Sequence, residues 1–218
     1  MKLVRRMKKE LTDMTIHYHA CDLAYIEDIV KKLEKKGKEI LQFFHLQHLE
    51  NHLNIYLWDD VKQFEENVHP RHAYTIGKAN LEDHRIDVLS YQEILKREGH
   101  QQDSIESISD LILHEFVHIC HGQYAGQDYG CWVNEALATT ISGQYDQEPL
   151  NLNCNLEHIL NGTWYICYAT MGKYILNQYG RDYFLKLAKD QEFAIQETER
   201  LYEEAKTWVL EQKTQSQR

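Results

Sequence analysis

Residues 103–122 read DSIESISDLILHEFVHICHG, and the fold turns on how this stretch is read. Ile105, Ile108, Leu111, Ile112 and Ile119 recur at the three- and four-residue spacing of one helical face. Asp103 and Glu106 have the spacing of a capping box, with Asp in place of the usual Ser or Thr, and Gly122 stands where a helix end favours a left-handed residue. The pattern predicts one helix between those signals. Within it His114 and His118 are four apart, so their rings stand one turn apart on the same side. Glu115 lies about 100° round the axis from His114.

Before this helix the periodicity is mixed. Leu23, Ile26, Ile29, Val30 and Leu33 mark an amphipathic helix over 22–36, with Gly37 as its stop. LNIYLW, Leu53–Trp58, is rich in strand formers and alternates around Ile55 and Leu57. A short helix from Asp60 to Asn67, capped by Asp59 or Asp60, is expected next. Two further strands are predicted at Ala73–Ala79 and Arg85–Leu89, with a polar turn through Asn80–His84. Beyond Ser104 nearly everything has helical spacing: Trp132–Thr140, Thr163–Gly180, Asp182–Asp190 and Phe193–Leu210, with Phe184, Leu185 and Leu187 in the core. A small sheet followed by a helical half is the signature of an α+β fold. The expectation is a single domain in three parts: a helical extension over 1–50, the sheet and the His-bearing helix over 51–122, and a helical subdomain over 123–218.

Composition narrows the function. The 218 residues carry a formal charge of −10 and a pI near 5.7, which excludes a duplex-binding surface, since that needs a concentrated basic field. The basic start (Lys2, Arg5, Arg6, Lys8, Lys9) reads as a solvated helix face or tail. No apolar run approaches the ~18 residues of a membrane span, and Thr12, Asp13, His17 and His19 interrupt what a secretory signal would keep apolar. The five cysteines are scattered without a CxxC pair, as in reduced cytoplasmic proteins. A cytoplasmic protein without membrane or nucleic-acid partners is expected.

The chemistry lies in HEFVH, His114 to His118. Two imidazoles one turn apart can reach one zinc ion, and Glu115 stands beside it, where a base takes a proton from a water. With 13 histidines in the chain, chance alone gives this pattern about 0.07 times, so a third ligand is needed. WVNEALATT, Trp132 to Thr140, supplies it: Glu135 is a lone carboxylate among apolar and small residues, costly to bury unless compensated. Two histidines and one glutamate form a catalytic zinc set that leaves the fourth position for water. His121 followed by Tyr124 fails the spacing of a three-histidine site, and Asp128 in GQDYG is a weaker rival to Glu135. His45, His48 and His52 would make a surface metal site on a helix, or belong to an ordinary amphipathic segment with Phe43, Phe44, Leu46 and Leu49. His17, His19, His69 and His72 carry no pattern.

HEFVH followed by the WVNEALA helix resembles the gluzincin peptidases, and most closely the small bacterial members called minigluzincins or peptidase-MA-like domains. The resemblance spans about Asn54 to Leu187 and is specific over those two motifs. It implies a zincin-like fold, with a mixed sheet packed on the HEFVH helix and a peptide or protein substrate along an edge strand, here Ala73–Ala79. It implies zinc on His114, His118 and Glu135, with Glu115 as general base. Tyr165 is placed by the same resemblance at the tyrosine that stabilises the oxyanion, with Tyr168, one turn on, as second choice. Two departures stand out. Many members carry an acidic residue where this chain has Thr139, so a backbone carbonyl or the Thr hydroxyl must orient the histidine. YTIGKAN, Tyr74 to Asn80, lacks the GxMEN pattern with which aminopeptidases bind a free amino terminus, which favours an endopeptidase. The alternative is a latent or non-catalytic zinc-binding module on the same fold.

Overall fold

The structure is a computed structural model, and it describes residues 6–69, 75–97, 100–126, 132–161 and 164–215. It is a mixed α+β protein whose chain divides into two compact units, Met1–Gln123 and Tyr124–Arg218. The first unit contains β1 (Met7–Glu10), β2 (Met14–Tyr18), α1 (Ile26–Phe43), β3 (Leu53–Trp58), α2 (Val61–Val68), β4 (Gly77–Asn80), β5 (Arg85–Leu89), α3 (Tyr91–Ile94) and α4 (Ile105–Ala125). Its five strands form one sheet in the order β1-β2-β3-β5-β4. The three central strands run parallel, and an antiparallel strand closes each edge.

Register divides the sheet into two faces. Ile16, Ile55 and Ile86 lie side by side and, with Leu53, Leu57 and Val88, are fully buried. Parallel strands normally need helices on both faces. Here the second face is roofed by its own side chains instead. His17 stacks on Tyr56 with ring centroids 4.3 Å apart. The Arg6 guanidinium sits 3.9 Å above the Trp58 ring, and Arg85 sits 4.2 Å from Tyr56. Asp87 accepts from both Trp58 Nε1 and Arg85 at 2.7 and 2.6 Å, so neither the indole nor the guanidinium is left unsatisfied.

β3 and β5 have the predicted bounds, and Asp60 caps α2 by accepting the Gln63 N–H at 3.0 Å. Other expectations need correction. Lys8 and Lys9 of the basic start lie on a strand and not on a helix face: residues 7–18 form the β1–β2 hairpin, closed by the Leu11 N–H to the Met14 carbonyl at 2.8 Å, while Lys2 and Arg5 lie outside the described residues. α1 runs through Gly37 to Phe43 because the next turn buries Ile40, which outweighs the ~1 kcal/mol helical cost of one glycine. α4 likewise passes Gly122, whose missing side chain lets Leu81 approach to 2.8 Å of where a Cβ would stand; Gly126, at φ 78°, follows the last helical residue. Ser104 and Ser107, not Asp103 and Glu106, exchange the capping bonds, at 3.2 and 3.3 Å, because Asp103 is engaged by His100 Nδ1 at 2.8 Å. The predicted strand Ala73–Ala79 is β4 only from Gly77; its first two residues lie outside the described ones. α3 and the later α6 had no expectation.

The second unit is all helical among its described residues: α5 (Trp132–Ile141), α6 (Leu156–Asn161), α7 (Tyr165–Gln178), α8 (Gly180–Lys189) and α9 (Gln191–Gln215). α5 and α7 touch through Gly172, where a Cβ would lie 2.1 Å from Thr140 Oγ1 and 2.8 Å from the Ala136 carbonyl oxygen. Trp132 Nε1 donates to Thr198 Oγ1 at 2.9 Å, tying α5 to α9. Gly180, at φ 77°, makes the turn between α7 and α8; the expected cap Thr163 lies outside the described residues. No helix among the described residues is long and apolar enough to cross a membrane.

Candidate metal centre

A surface helix buries one stripe and turns its polar residues to water. The middle of α4 does not: Ile108, Ser109 and every residue from Leu111 to His121 are buried, with His114 5 %, Glu115 8 % and His118 9 % exposed. Polar groups placed so deep need specific partners. The two imidazoles meet each other, edge to face, with Nε2 to Nε2 at 3.2 Å. Glu135, in the first turn of α5, is half-buried between buried Val133, Asn134, Ala136 and Leu137. One ligand atom from each of His114, His118 and Glu135 lies within 4.8 Å of the others, close enough to hold a metal ion.

No family model and no curated protein matches this chain.

Glu115 projects from α4 toward β4, where its Oε2 accepts the Ala79 N–H at 2.7 Å. A Cβ on Gly77 would stand 3.2 Å from its Oε1. These two contacts, made by backbone groups that residue type does not reveal, were missed by sequence reasoning; the signal was the glycine inside the strand pattern.

Tyr168 is buried, and its hydroxyl donates to the Ile159 carbonyl at 3.3 Å. Burial, then the negative charge of Glu135, pushes this phenol up to about 12, so it keeps its proton near neutral pH and remains a donor. Tyr165 opens α7, half-buried, its ring edge-on to Tyr168 at 6.2 Å. Thr139 is buried and gives its hydroxyl proton to the Glu135 carbonyl at 2.6 Å within its own helix. Its proton is committed there, while its oxygen keeps the acceptor capacity that an imidazole N–H would need.

The other histidines singled out in the sequence have surroundings of their own. His121 is buried and its ring meets Phe44 at 6.3 Å. α1 ends before His45, which has φ 57°, so His45, His48 and His52 share no helix face; His52 pairs with Thr15 Oγ1 at 2.7 Å. His17 bonds Asn54 at 2.9 Å. His19 meets Arg6 and Asp59, and His69 ends α2 in the left-handed region. Asp128 and His72 lie outside the described residues.

Proposed function

We propose that this protein is a zinc-dependent peptidase of the gluzincin type, with His114, His118 and Glu135 as ligands and Glu115 as general base. The observation that carries it is the 3.2 Å between the two imidazole Nε2 atoms, with the Glu135 carboxylate in the same group. A tetrahedral ion with bonds of ~2.0–2.1 Å separates its ligand atoms by about 3.3 Å, so the donors and their spacing fit zinc. When bound, zinc supplies Lewis acidity to a substrate carbonyl.

The residues of the chain supply the rest. Glu115 takes a proton from the attacking water and hands it to the leaving amine as the C–N bond breaks. Its place next to His114, and its burial beside an edge strand, support that role. Tyr165 or Tyr168 donates a hydrogen bond to the oxyanion; the raised Tyr168 phenol is suited to it, at the cost of releasing the Ile159 carbonyl. A peptide substrate pairs along the β4 edge. The hydrogen bond from Ala79 to Glu115 narrows this pairing, because that N–H is already used. The sheet beside the HEFVH helix accords with a zincin-like fold, and the YTIGKAN sequence favours internal cleavage. A cytoplasmic location belongs to the same proposal and rests on the scattered cysteines.

The alternative, a latent or non-catalytic zinc module, is favoured by Thr139 standing where many gluzincins carry an acidic residue. One experiment separates the readings: metal content and hydrolysis of labelled casein for the zinc-loaded wild type, His118→Ala and Glu115→Gln. His118→Ala should lose the ion. Glu115→Gln should keep it and lose turnover. Unchanged zinc in His118→Ala refutes the ligands, undiminished hydrolysis by Glu115→Gln refutes the base, and a zinc-loaded wild type without hydrolysis selects the module.

A further inference from the structure

A glutamate on a helix has three side-chain torsions and several rotamers of similar energy. General-base catalysis needs one of them. At Glu115 the selection comes from the sheet. The Leu89 N–H donates to the Ile76 carbonyl at 2.9 Å, and Lys78 is the Cα partner of Asp87 two residues further along the pair. In an antiparallel ladder the residues between such pairs turn their backbone groups outward, which leaves Gly77 and Ala79 facing the edge. The Ala79 N–H then meets Glu115 Oε2 at 2.7 Å.

Gly77 fits beneath the same carboxylate. Its backbone is outside the left-handed region, so its conformation does not demand glycine. Its surroundings are tight: a Cβ would come within 3.2 Å of Glu115 Oε1 and within 3.2 and 3.3 Å of two Leu111 carbons, so the carboxylate or the Leu111 end must give by a few tenths of an ångström. One oxygen is bonded and the other is fenced by a position without a side chain.

We infer that β4 sets the orientation of the general base, with the Ala79 N–H as its anchor and Gly77 as a positioning residue. The catalytic half of this inference rests on the proposed role of Glu115; the mechanical half stands on the geometry alone. A displacement of up to 1 Å at a reacting group costs up to ~10²-fold in rate. A Cβ at Gly77 meets the ends of Glu115 and Leu111 and neither histidine among its nearest neighbours, so it should act on turnover rather than on metal content.

The test uses the full-length, zinc-loaded chain and two readouts: exchange of the Ala79 amide proton by NMR, and kcat and KM on labelled casein. In Glu115→Ala the amide loses its acceptor, and its exchange should rise at least about tenfold. Gly77→Ala should raise it likewise and lower kcat at saturating substrate at least about tenfold, with zinc content unchanged. Wild-type exchange at Ala79 in Glu115→Ala overturns the anchor, even if Gly77→Ala fails to fold. Wild-type kcat in Gly77→Ala overturns the positioning role. Activity retained in Glu115→Gln refutes the base itself, and the amide readout still decides whether β4 holds the carboxylate.

Discussion

Replacing Gly172 by alanine sets two opposing effects against each other. On propensity alone the change is favourable, since a helical glycine costs ~1 kcal/mol relative to alanine. The α5–α7 contact decides otherwise. The new methyl would stand 2.1 Å from Thr140 Oγ1 and 2.8 Å from the Ala136 carbonyl oxygen. The hydroxyl can swing aside, though threonine is stiff about χ1; the backbone carbonyl cannot. The helices must part by about 0.5 Å or more to restore ordinary contact, and such overpacking costs about 1–3 kcal/mol, occasionally more. A backbone carbonyl that cannot yield puts the clash at the upper end of that range, about 2–3 kcal/mol. After the gain in propensity a net loss of about 1–2 kcal/mol remains, which lowers the midpoint of thermal unfolding by about 2–8 °C in a chain of this size. Ala136 adjoins Glu135, so the retreat of α5 also displaces the carboxylate, and on the zinc centre proposed above the affinity for zinc should fall about tenfold. Calorimetry and competition with a chelating dye measure the two effects. Adding Thr140→Ala should recover part of the stability and not all of it, because the carbonyl clash persists. A midpoint equal to or above that of the wild type would refute the packing argument.

Three other predictions concern residues outside the centre. Burial, then the charges of Lys8 and Arg6, hold His17 below its ordinary 6.5, against the Asn54 hydrogen bond and Glu10; its contribution is therefore present above about pH 6.5 and lost as pH falls through the folded value. Denaturant titrations at pH 7.5 and 5.5 should show a smaller loss in His17→Phe than in the wild type, and equal losses contradict the assignment. Ser104→Ala should destabilise α4 by about 0.5–2 kcal/mol, more than Asp103→Ala; the reverse order in thermal melts would restore Asp103 as the cap. Burial and the carboxylates of Asp22 and Asp59 push the Cys21 thiol up to about 11, and Cys120, Cys154 and Cys167 are buried. Alkylation of all four at pH 7.5 should thus be far slower than that of a free thiol, as mass spectrometry can follow; rapid labelling of Cys21 would count against that environment.

What could be read from residues alone follows from where the signal resides. β3 and β5 were legible because LNIYLW and RIDVL alternate over a buried face, and α2 because Asp60 precedes it. The helix bearing HEFVH was legible in type, and the pairing of His114 with His118 with it, because spacing on a helix is a property of sequence. Glu135, on the next helix, stood out as a lone carboxylate among apolar neighbours, and its ligand atom lies near theirs. β1 and β2 were not. MKKE and MTIHY are four and five residues long, and the lysines of the first belong to an edge strand, which in composition looks like a tail. Gly37 and Gly122 misled because tertiary packing overrode the local stop signal. The contacts of Glu115 with Ala79 and Gly77 depend on a backbone N–H and on a side chain that is not there, neither of which residue type declares.

The guanidinium of Arg6 lying on Trp58 bears on how this protein avoids sticking to itself. β1 pairs with β2 over only four residues, and its outward-facing Lys8 and Glu10 are exposed, which makes it a poor template for a stranger's strand. β2, MTIHY, has neither lysine nor acid and would be an inviting one. By lying on the indole, Arg6 helps to fasten the charged strand over the uncharged one, so that the edge turned to a stranger is the one that repels it.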